Sequence, residues 1–171
     1  MRRLLIIAAA LTAVTTTLVG CGPKTSTDAT GGPGNGGPTA TQASCDLAPA
    51  SLVKQTLGVD VTEPSPTENG SVLVCTYPPA AGATGTVIVR VDTASSADQF
   101  KTTRDSYATQ DMQTADYPGF GDEAYTNTIS AIGITTNTLV TRKGTTEIQI
   151  SSSASFDQEK SLEQALFDAL A

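Results

Sequence analysis

The segment LVTRKGTTEIQI, residues 139–150, decides the fold class of this chain. Two runs rich in β-branched side chains, 139–142 and 145–150, flank Lys143-Gly144, a pair suited to a tight turn. In the second run, apolar and hydroxyl side chains alternate with Glu and Gln, which is the pattern of a strand with one buried face. The segment therefore predicts a β-hairpin within an antiparallel sheet.

Three further strands are expected upstream of this hairpin, at 71–77, at 86–92 and near 123–128. Valines at every second position give the second of these strands one apolar face. The residues expected on one face of the first strand are Leu73, Cys75 and Tyr77.

Three helices are expected between and after the strands, the first a short one that Gly58 ends and the others over 96–108 and 156–170. The last helix is amphipathic, and the residues expected on its inner face are Leu162, Ala165, Leu166 and Ala169. Short connections between the elements predict an α+β fold, with a mainly antiparallel sheet of about five strands packed against helices.

The first 20 residues have the organisation of a signal peptide. A cationic start at Arg2 and Arg3 precedes a largely apolar stretch, 4–19, that is short for a membrane span. An uncleaved membrane anchor is the alternative interpretation. Residues 18–21, Leu-Val-Gly-Cys, favour cleavage because they resemble the lipobox of bacterial lipoproteins, in which aliphatic and small residues precede a lipidated cysteine.

Cleavage before Cys21 would leave this cysteine at the mature N-terminus, with diacylglycerol on its thiol and acyl chains such as palmitate. Two acyl chains anchor a protein much more firmly than one, because each buried methylene contributes about 0.8 kcal/mol. We therefore expect a lipoprotein held at the extracytoplasmic face of the cell membrane. Residues 21–44, rich in Gly, Pro and Thr, are expected to form a flexible tether, and 45–171 a single folded domain.

The exported part contains two more cysteines, Cys45 and Cys75. Their even number and an oxidising compartment favour a disulfide, which would close a loop of about 30 residues and stabilise the domain by roughly 3–4 kcal/mol. Two free buried thiols are the alternative. Because the chain has no histidine, two cysteines fall short of the usual four zinc ligands, and no metal or other cofactor is expected.

Charge and composition argue against several classes of function. Removal of Arg2 and Arg3 with the signal peptide leaves eight basic and 17 acidic side chains, a balance unsuited to nucleic acid or to a basic patch on anionic lipid. The absence of histidine excludes Ser–His–Asp and Cys–His catalysis. Ser51 and Lys54 match the S-x-x-K pattern of certain serine enzymes, but the other elements of those enzymes are missing from the sequence. We expect no enzymatic activity.

A candidate binding surface lies in the segment PGFGDEAY, residues 118–125, of a chain with only eight aromatic residues and no Trp. A loop that presents aromatic side chains from a rigid sheet is suited to recognition of a partner. The alternative is a structural turn whose Phe120 fills the core and whose glycines adopt positive φ. The candidate binding residues are Tyr117, Phe120, Asp122 and Tyr125.

Several motifs occur together along the chain: a lipobox cysteine followed by a Thr/Gly/Pro tether, Cys45-Asp46-Leu47 before a helix that ends in Leu57-Gly58, Cys75-Thr76-Tyr77 in a strand, the PGFGDEAY segment and residues 139–144. In this combination the chain resembles a family of small actinobacterial lipoproteins whose domain is of unknown function. The resemblance spans most of the chain after the signal peptide. It implies a cell-envelope lipoprotein with Cys45 paired to Cys75, and it implies no activity.

The expected function is non-enzymatic binding of an envelope protein partner at the outer face of the membrane. The alternative is a carrier of a small apolar ligand or lipid, which needs an internal cavity of about 300 Å³ or more. A domain of this size could form such a cavity only at the expense of its core, which favours a protein partner. A purely structural envelope protein with no discrete site is the third interpretation.

Overall fold

The structure is a computed structural model that describes residues 43–108, 110, 112–131 and 133–171. These residues fall within the unit Pro38–Ala171. The predicted signal peptide, the lipidation site Cys21 and the tether as far as residue 42 lie outside the described residues. Among the residues that are described, no helix has the length and apolar character needed to cross a membrane.

Seven strands form one antiparallel sheet in the order β1-β2-β3-β7-β6-β5-β4. The strands are β1 (Ser65–Asn69), β2 (Val72–Tyr77), β3 (Val87–Asp92), β4 (Gln113–Asp116), β5 (Glu123–Ala131), β6 (Ile134–Lys143) and β7 (Thr146–Ser152). The helices are α1 (Ala50–Leu57), α2 (Ala97–Ala108) and α3 (Phe156–Leu170). The predicted α+β class and the hairpin of β6 and β7 are confirmed, whereas the expected number of about five strands is too low.

The two strands that the sequence did not predict are the two edges of the sheet. In β1, SPTEN, all five residues are exposed and Pro66 is included, so no alternating apolar pattern is present. In β4, QTAD, three of the four residues are exposed. Proline and charge at a sheet edge discourage pairing with other chains. The polar composition of β1 and β4 therefore suits their position at the sheet edges, and it is also the reason that the sequence did not predict them as strands.

The main core lies on the face of the sheet that α1 and α3 cover. Gly58 ends α1 in the left-handed region, at φ 67°, and its N–H donates to the carbonyl of Lys54 at 3.0 Å. Cys45 and Cys75 form a disulfide, which confirms the predicted bond and ties the start of the domain to β2. Strand residues buried on this face include those predicted for β2: Leu73, Cys75 and Tyr77.

The start of α3 is fixed by a capping box, in which Ser155 Oγ accepts from the N–H of Gln158 and Gln158 Oε1 accepts from the N–H of Ser155. Gln158 Nε2 also donates to the carbonyl of Leu57, at 3.0 Å, and so joins α3 to the end of α1. The bounds predicted for α3 are confirmed. Leu162 and Leu166 are buried on its inner face as predicted, but Ala169 is exposed, and Glu159 and Glu163 are buried there instead.

A second, smaller core lies beneath α2 on the opposite face of the sheet. Phe100 of α2 meets Tyr125 of β5 edge-on, with ring centroids 5.1 Å apart, and Val140 of β6 completes the cluster. Tyr107 packs beside these residues. The helix predicted over 96–108 is confirmed.

Candidate functional site

The candidate site is built around the aromatic loop, residues 117–122, which joins β4 to β5. Its two ends are held by backbone hydrogen bonds, from the N–H of Tyr117 to the carbonyl of Ala124 and from the N–H of Asp122 to the carbonyl of Arg142. Gly121 has φ 63°, and a Cβ there would lie 2.5 Å from Thr141 Cγ2 and 2.7 Å from the Arg142 carbonyl oxygen. Because the loop backbone lies directly against β6 at this position, only glycine fits there.

The loop packs its two aromatic rings onto α3. Phe120 is only 8% exposed, and its ring meets Phe167 nearly perpendicularly at 6.3 Å between centroids. Lys160 Nζ lies 5.3 Å from the centroid of Phe120 and 5.8 Å from that of Tyr117, within range of cation–π attraction. The hydroxyl of Tyr117 donates to Asp157 Oδ1 at 3.3 Å. Burial and the neighbouring Asp157 raise the pKa of the Tyr117 phenol above its usual value.

Asp122 fastens the loop to the turn between β6 and β7. Its Oδ2 accepts from the N–H of Gly144 at 2.8 Å and lies 3.6 Å from Arg142 Nη1. Arg142 also contacts Glu123, with 3.2 Å between Nε and Oε2. The carboxylate of Asp122 is more than half exposed, so it both shapes the loop and remains accessible to a ligand.

Two surface hollows flank Phe120. The larger, which we term the α2 cleft, has a volume of about 340 Å³ and lies between the aromatic loop and α2. Lys101 and Arg104 project into it from α2, and Arg104 Nη2 meets Asp116 Oδ1 at 2.6 Å. The smaller hollow, of about 210 Å³, lies between the loop and α3 and includes Lys143 and Gln164.

Tyr117, Phe120 and Asp122 border the α2 cleft, whereas Tyr125 does not. Phe120 also belongs to the main core, and the two glycines beside it have positive φ, which are the features expected of the alternative, a structural turn. Tyr125 is fully buried beneath α2, and burial raises the pKa of its phenol. The alternation of β5 turns its side chain towards the second core. Sequence reasoning did not identify Lys101 and Arg104, because their approach to the loop depends on how α2 packs.

Sequence reasoning also did not identify a buried acidic pair, Glu159 and Glu163, on the inner face of α3. Ser152 Oγ donates to Glu159 Oε1 at 2.7 Å, while Glu159 Oε2 and both oxygens of Glu163 lack a hydrogen-bond partner among the described residues. Burial raises the pKa of Glu159 to about 8, and burial together with the nearby Glu159 raises that of Glu163 well above its usual value. The signal in the sequence is the spacing of Glu159, Leu162, Glu163 and Leu166, which all fall on one helical stripe.

On the other side of the sheet, a second group of buried acids has a cationic partner. Arg90 Nη1 lies 2.6 Å from Glu147 Oε1, and Arg90 Nη2 lies 3.1 Å from Asp92 Oδ2. Ser95 Oγ donates to Glu147 at 2.7 Å and Ser71 Oγ to Asp92 at 2.8 Å. This network joins β3, β7 and Ser95, which precedes α2 in the chain. Its residues do not line the α2 cleft.

Comparison of the chain with protein-family models, with curated proteins and with solved structures yields no match. Within the part of the chain that the structure describes, no group of three or more His, Cys, Asp or Glu side chains is arranged to hold a metal ion. The α2 cleft and the loop beside it therefore form the candidate functional site.

Proposed function

We propose that this protein is a cell-envelope lipoprotein, anchored through Cys21, that acts as a non-enzymatic binding module for a partner protein at the extracytoplasmic face of the membrane. A segment of the partner would occupy the α2 cleft. The observation that supports this proposal is the cleft itself: an open hollow of about 340 Å³ between a helix and a loop, bordered by Tyr117 and Phe120. Aromatic residues and Arg are enriched in protein interfaces.

The chemistry of the cleft suits a polypeptide better than a lipid. Lys101 and Arg104 are cationic groups of α2, whereas Asp116 and Glu123 bring negative charge from the strands that flank the loop. A peptide can offer charged groups of either sign together with apolar side chains. An acyl chain would desolvate these charges without pairing them, which is unfavourable.

The second candidate function is capture of a small molecule, and the size of the α2 cleft is the observation that favours it. Its volume lies near the lower end of the range of about 300–1,000 Å³ that is typical of small-ligand sites. Native mass spectrometry of the protein purified from its own host separates the two candidates. A reproducible extra mass that denaturation releases as a small molecule would support the carrier, and a bare protein mass would support the partner-binding module.

Site-specific crosslinking in living cells tests the partner-binding proposal. A photoreactive amino acid in place of Lys101 is expected to yield one discrete covalent adduct with a protein, because this position borders the α2 cleft. The matched control is the same photoreactive residue in place of Lys54, which is exposed on α1 across the sheet. Equal adducts at both positions, or none at position 101, would contradict the proposed site.

The proposed anchor is tested by labelling cells with a palmitate analogue. Cys21→Ala is expected to abolish incorporation of the label and to release the protein from the membrane fraction, because the acyl chains supply the anchoring free energy. Cys45→Ala is the control, since Cys45 is bonded to Cys75, and it should keep the label. Undiminished labelling of the Cys21→Ala chain would refute lipidation at this cysteine.

A further inference from the structure

The hairpin of β5 and β6 extends past its neighbours in the sheet. β4 pairs with β5 only as far as Thr128, and β7 pairs with β6 only from Asn137 onwards. Beyond these positions β5 and β6 pair only with each other, so residues 129–131 and 134–136 form a two-stranded extension that we term the hairpin tip. Three residues on each strand carry the tip about 10 Å beyond the rest of the sheet.

One face of the hairpin tip is apolar and open to solvent. Ile129 pairs with Thr136 and Ala131 with Ile134, so the alternation of the strands places these four side chains on one face. Ile129 is 43% exposed and Ile134 52%, and they are the two large apolar side chains that are exposed in the described part of the chain. Their diagonal positions bring them together in one patch, which suits contact with an apolar medium.

The other face of the hairpin tip is polar, but its side chains bond to one another. The hydroxyls of Ser130 and Thr135 lie 3.1 Å apart. At the base of the tip, Thr128 Oγ1 donates to Asn137 Oδ1 at 3.1 Å. Polar groups that are already paired lose less free energy when water is removed from them. The tip can therefore leave water at a lower cost than its many hydroxyls suggest.

The hairpin is also free of charge over most of its length. The sequence has no Asp, Glu, Lys or Arg between residues 124 and 141, although the chain contains 17 acidic and 10 basic residues. The nearest charges on the two strands are those of Glu123 and Arg142, which pair eight residues away from the end of the tip, about 27 Å along the strands. The tip is therefore a part of this acidic domain that a membrane surface does not repel.

The folded domain begins near the same end of the sheet. Tyr77, the last residue of β2, belongs to the row of paired residues that includes Thr128 at the base of the tip. Its hydroxyl donates to the carbonyl of Ala48, in the segment that enters the domain. Residues 22–42 separate this segment from Cys21, and a Gly-rich linker of about 20 residues spans about 25 Å. A lipid on Cys21 would keep the tip within reach of the bilayer, at an effective concentration on the order of millimolar.

We propose that the hairpin tip inserts into the lipid surface that holds the Cys21 anchor, and that this contact directs the α2 cleft away from the membrane. The proposal rests on the lipid anchor proposed above. Insertion is shallow, because the free edges of the tip carry backbone groups that need water or lipid headgroups as partners. The α2 cleft includes Glu123, at the opposite end of β5, so a tip seated in the bilayer leaves the cleft open to a partner.

Tryptophan fluorescence tests this contact, because the chain has no Trp of its own. The lipidated protein carrying Ile134→Trp is purified from its host and reconstituted into phosphatidylcholine vesicles, with or without bromine on the acyl chains as a contact quencher. Bromine should lower the emission by about half, since the tip reaches the boundary of the acyl chains. The matched control is Thr145→Trp, exposed on the turn between β6 and β7 at the opposite end of the sheet, whose emission should not change.

A charge placed on the apolar face should prevent insertion. Ile129→Asp, added to the Ile134→Trp protein, is expected to abolish quenching by bromine, because a carboxylate is costly to remove from water. Both isoleucines are exposed, so these substitutions should leave the fold intact. Thr145→Asp adds the same charge far from the tip and should leave the quenching of Trp at position 134 unchanged.

Flotation of the vesicles, measured on the same samples, separates the tip contact from the anchor. A protein that floats with the vesicles but whose emission at position 134 ignores bromine would overturn the tip contact and leave the anchor standing. If that emission also lay at short wavelength, a second copy of the chain would be covering the apolar face instead of lipid. Equal quenching at positions 134 and 145 would contradict the proposed orientation. Failure to float would refute the anchor and the tip contact together.

Discussion

Two pairs of buried acidic side chains lie on opposite sides of the same sheet, and they differ in whether a cation accompanies them. Asp92 and Glu147 share the guanidinium of Arg90, at 3.1 Å and 2.6 Å. Glu159 and Glu163 share a helix face without a basic partner in the described structure, and burial raises the pKa of both. The sheet thus accommodates buried carboxyl groups in two ways, with a guanidinium partner on one face and without one on the other.

The pair without a cation makes the stability of the fold depend on pH. An acid whose pKa is higher in the folded than in the unfolded state stabilises the fold below the unfolded pKa, and this contribution is lost as the pH rises through the folded pKa. For Glu159 that window runs from about 4.5 to about 8. The pair bonded to Arg90 joins β3 to β7 through two ion pairs, whereas the pair on α3 makes the stability of the fold depend on pH.

The largest expected effect comes from depriving the first pair of its cation. Arg90→Met should lower the free energy of unfolding at pH 7 by about 3–5 kcal/mol, because it leaves two buried carboxylates unpaired. Urea unfolding of the protein, followed by circular dichroism, measures the change. Arg104→Met is the matched control: its partner Asp116 is largely exposed, so the loss should stay below about 1 kcal/mol. Equal losses in the two variants would contradict the distinction between buried and exposed pairs.

A smaller effect is expected from replacing Glu159, one member of the second pair, with a neutral side chain. Between pH 4.5 and pH 7 the unaltered chain should lose about 3 kcal/mol of unfolding free energy through Glu159, relative to Glu159→Gln, because its pKa rises to about 8 on folding. Urea midpoints of the two chains, measured across this pH range, give the difference. Parallel pH profiles would show that the pKa of Glu159 is not raised in the folded protein. That result would contradict the proposed difference between the two pairs.

The elements that could be predicted from the sequence are those marked by a pattern of neighbouring residues. The β-branched runs on either side of Lys143-Gly144 predicted β6 and β7, and Gly58 predicted the end of α1. The edge strands β1 and β4 stayed hidden because their exposed polar residues lack the alternation that marks a buried strand face.

The candidate site was predictable only within its own loop. Tyr117 and Phe120 are neighbours in the chain, whereas Lys101 and Arg104 join them through the packing of α2 on the sheet. The buried glutamates of α3 were missed because charged residues are ordinarily placed outside the core. Their helical spacing matches that of the buried leucines, but glutamate side chains usually face solvent. In a single sequence that usual preference outweighs the spacing.

The smallest expected effect compares two serines that make equivalent bonds to the two pairs. Ser95 Oγ donates to Glu147 and Ser152 Oγ to Glu159, each at 2.7 Å. Hydrogen bonds to charged groups contribute about 1.5–3 kcal/mol and those to neutral groups about 0.5–1.5 kcal/mol. At pH 7, Ser95→Ala should therefore be more destabilising than Ser152→Ala by about 1 kcal/mol in urea unfolding. Since Ser152 also accepts from the N–H of Ala154, a greater loss at Ser152 after allowance for that bond would show that Glu159 is already ionised at pH 7.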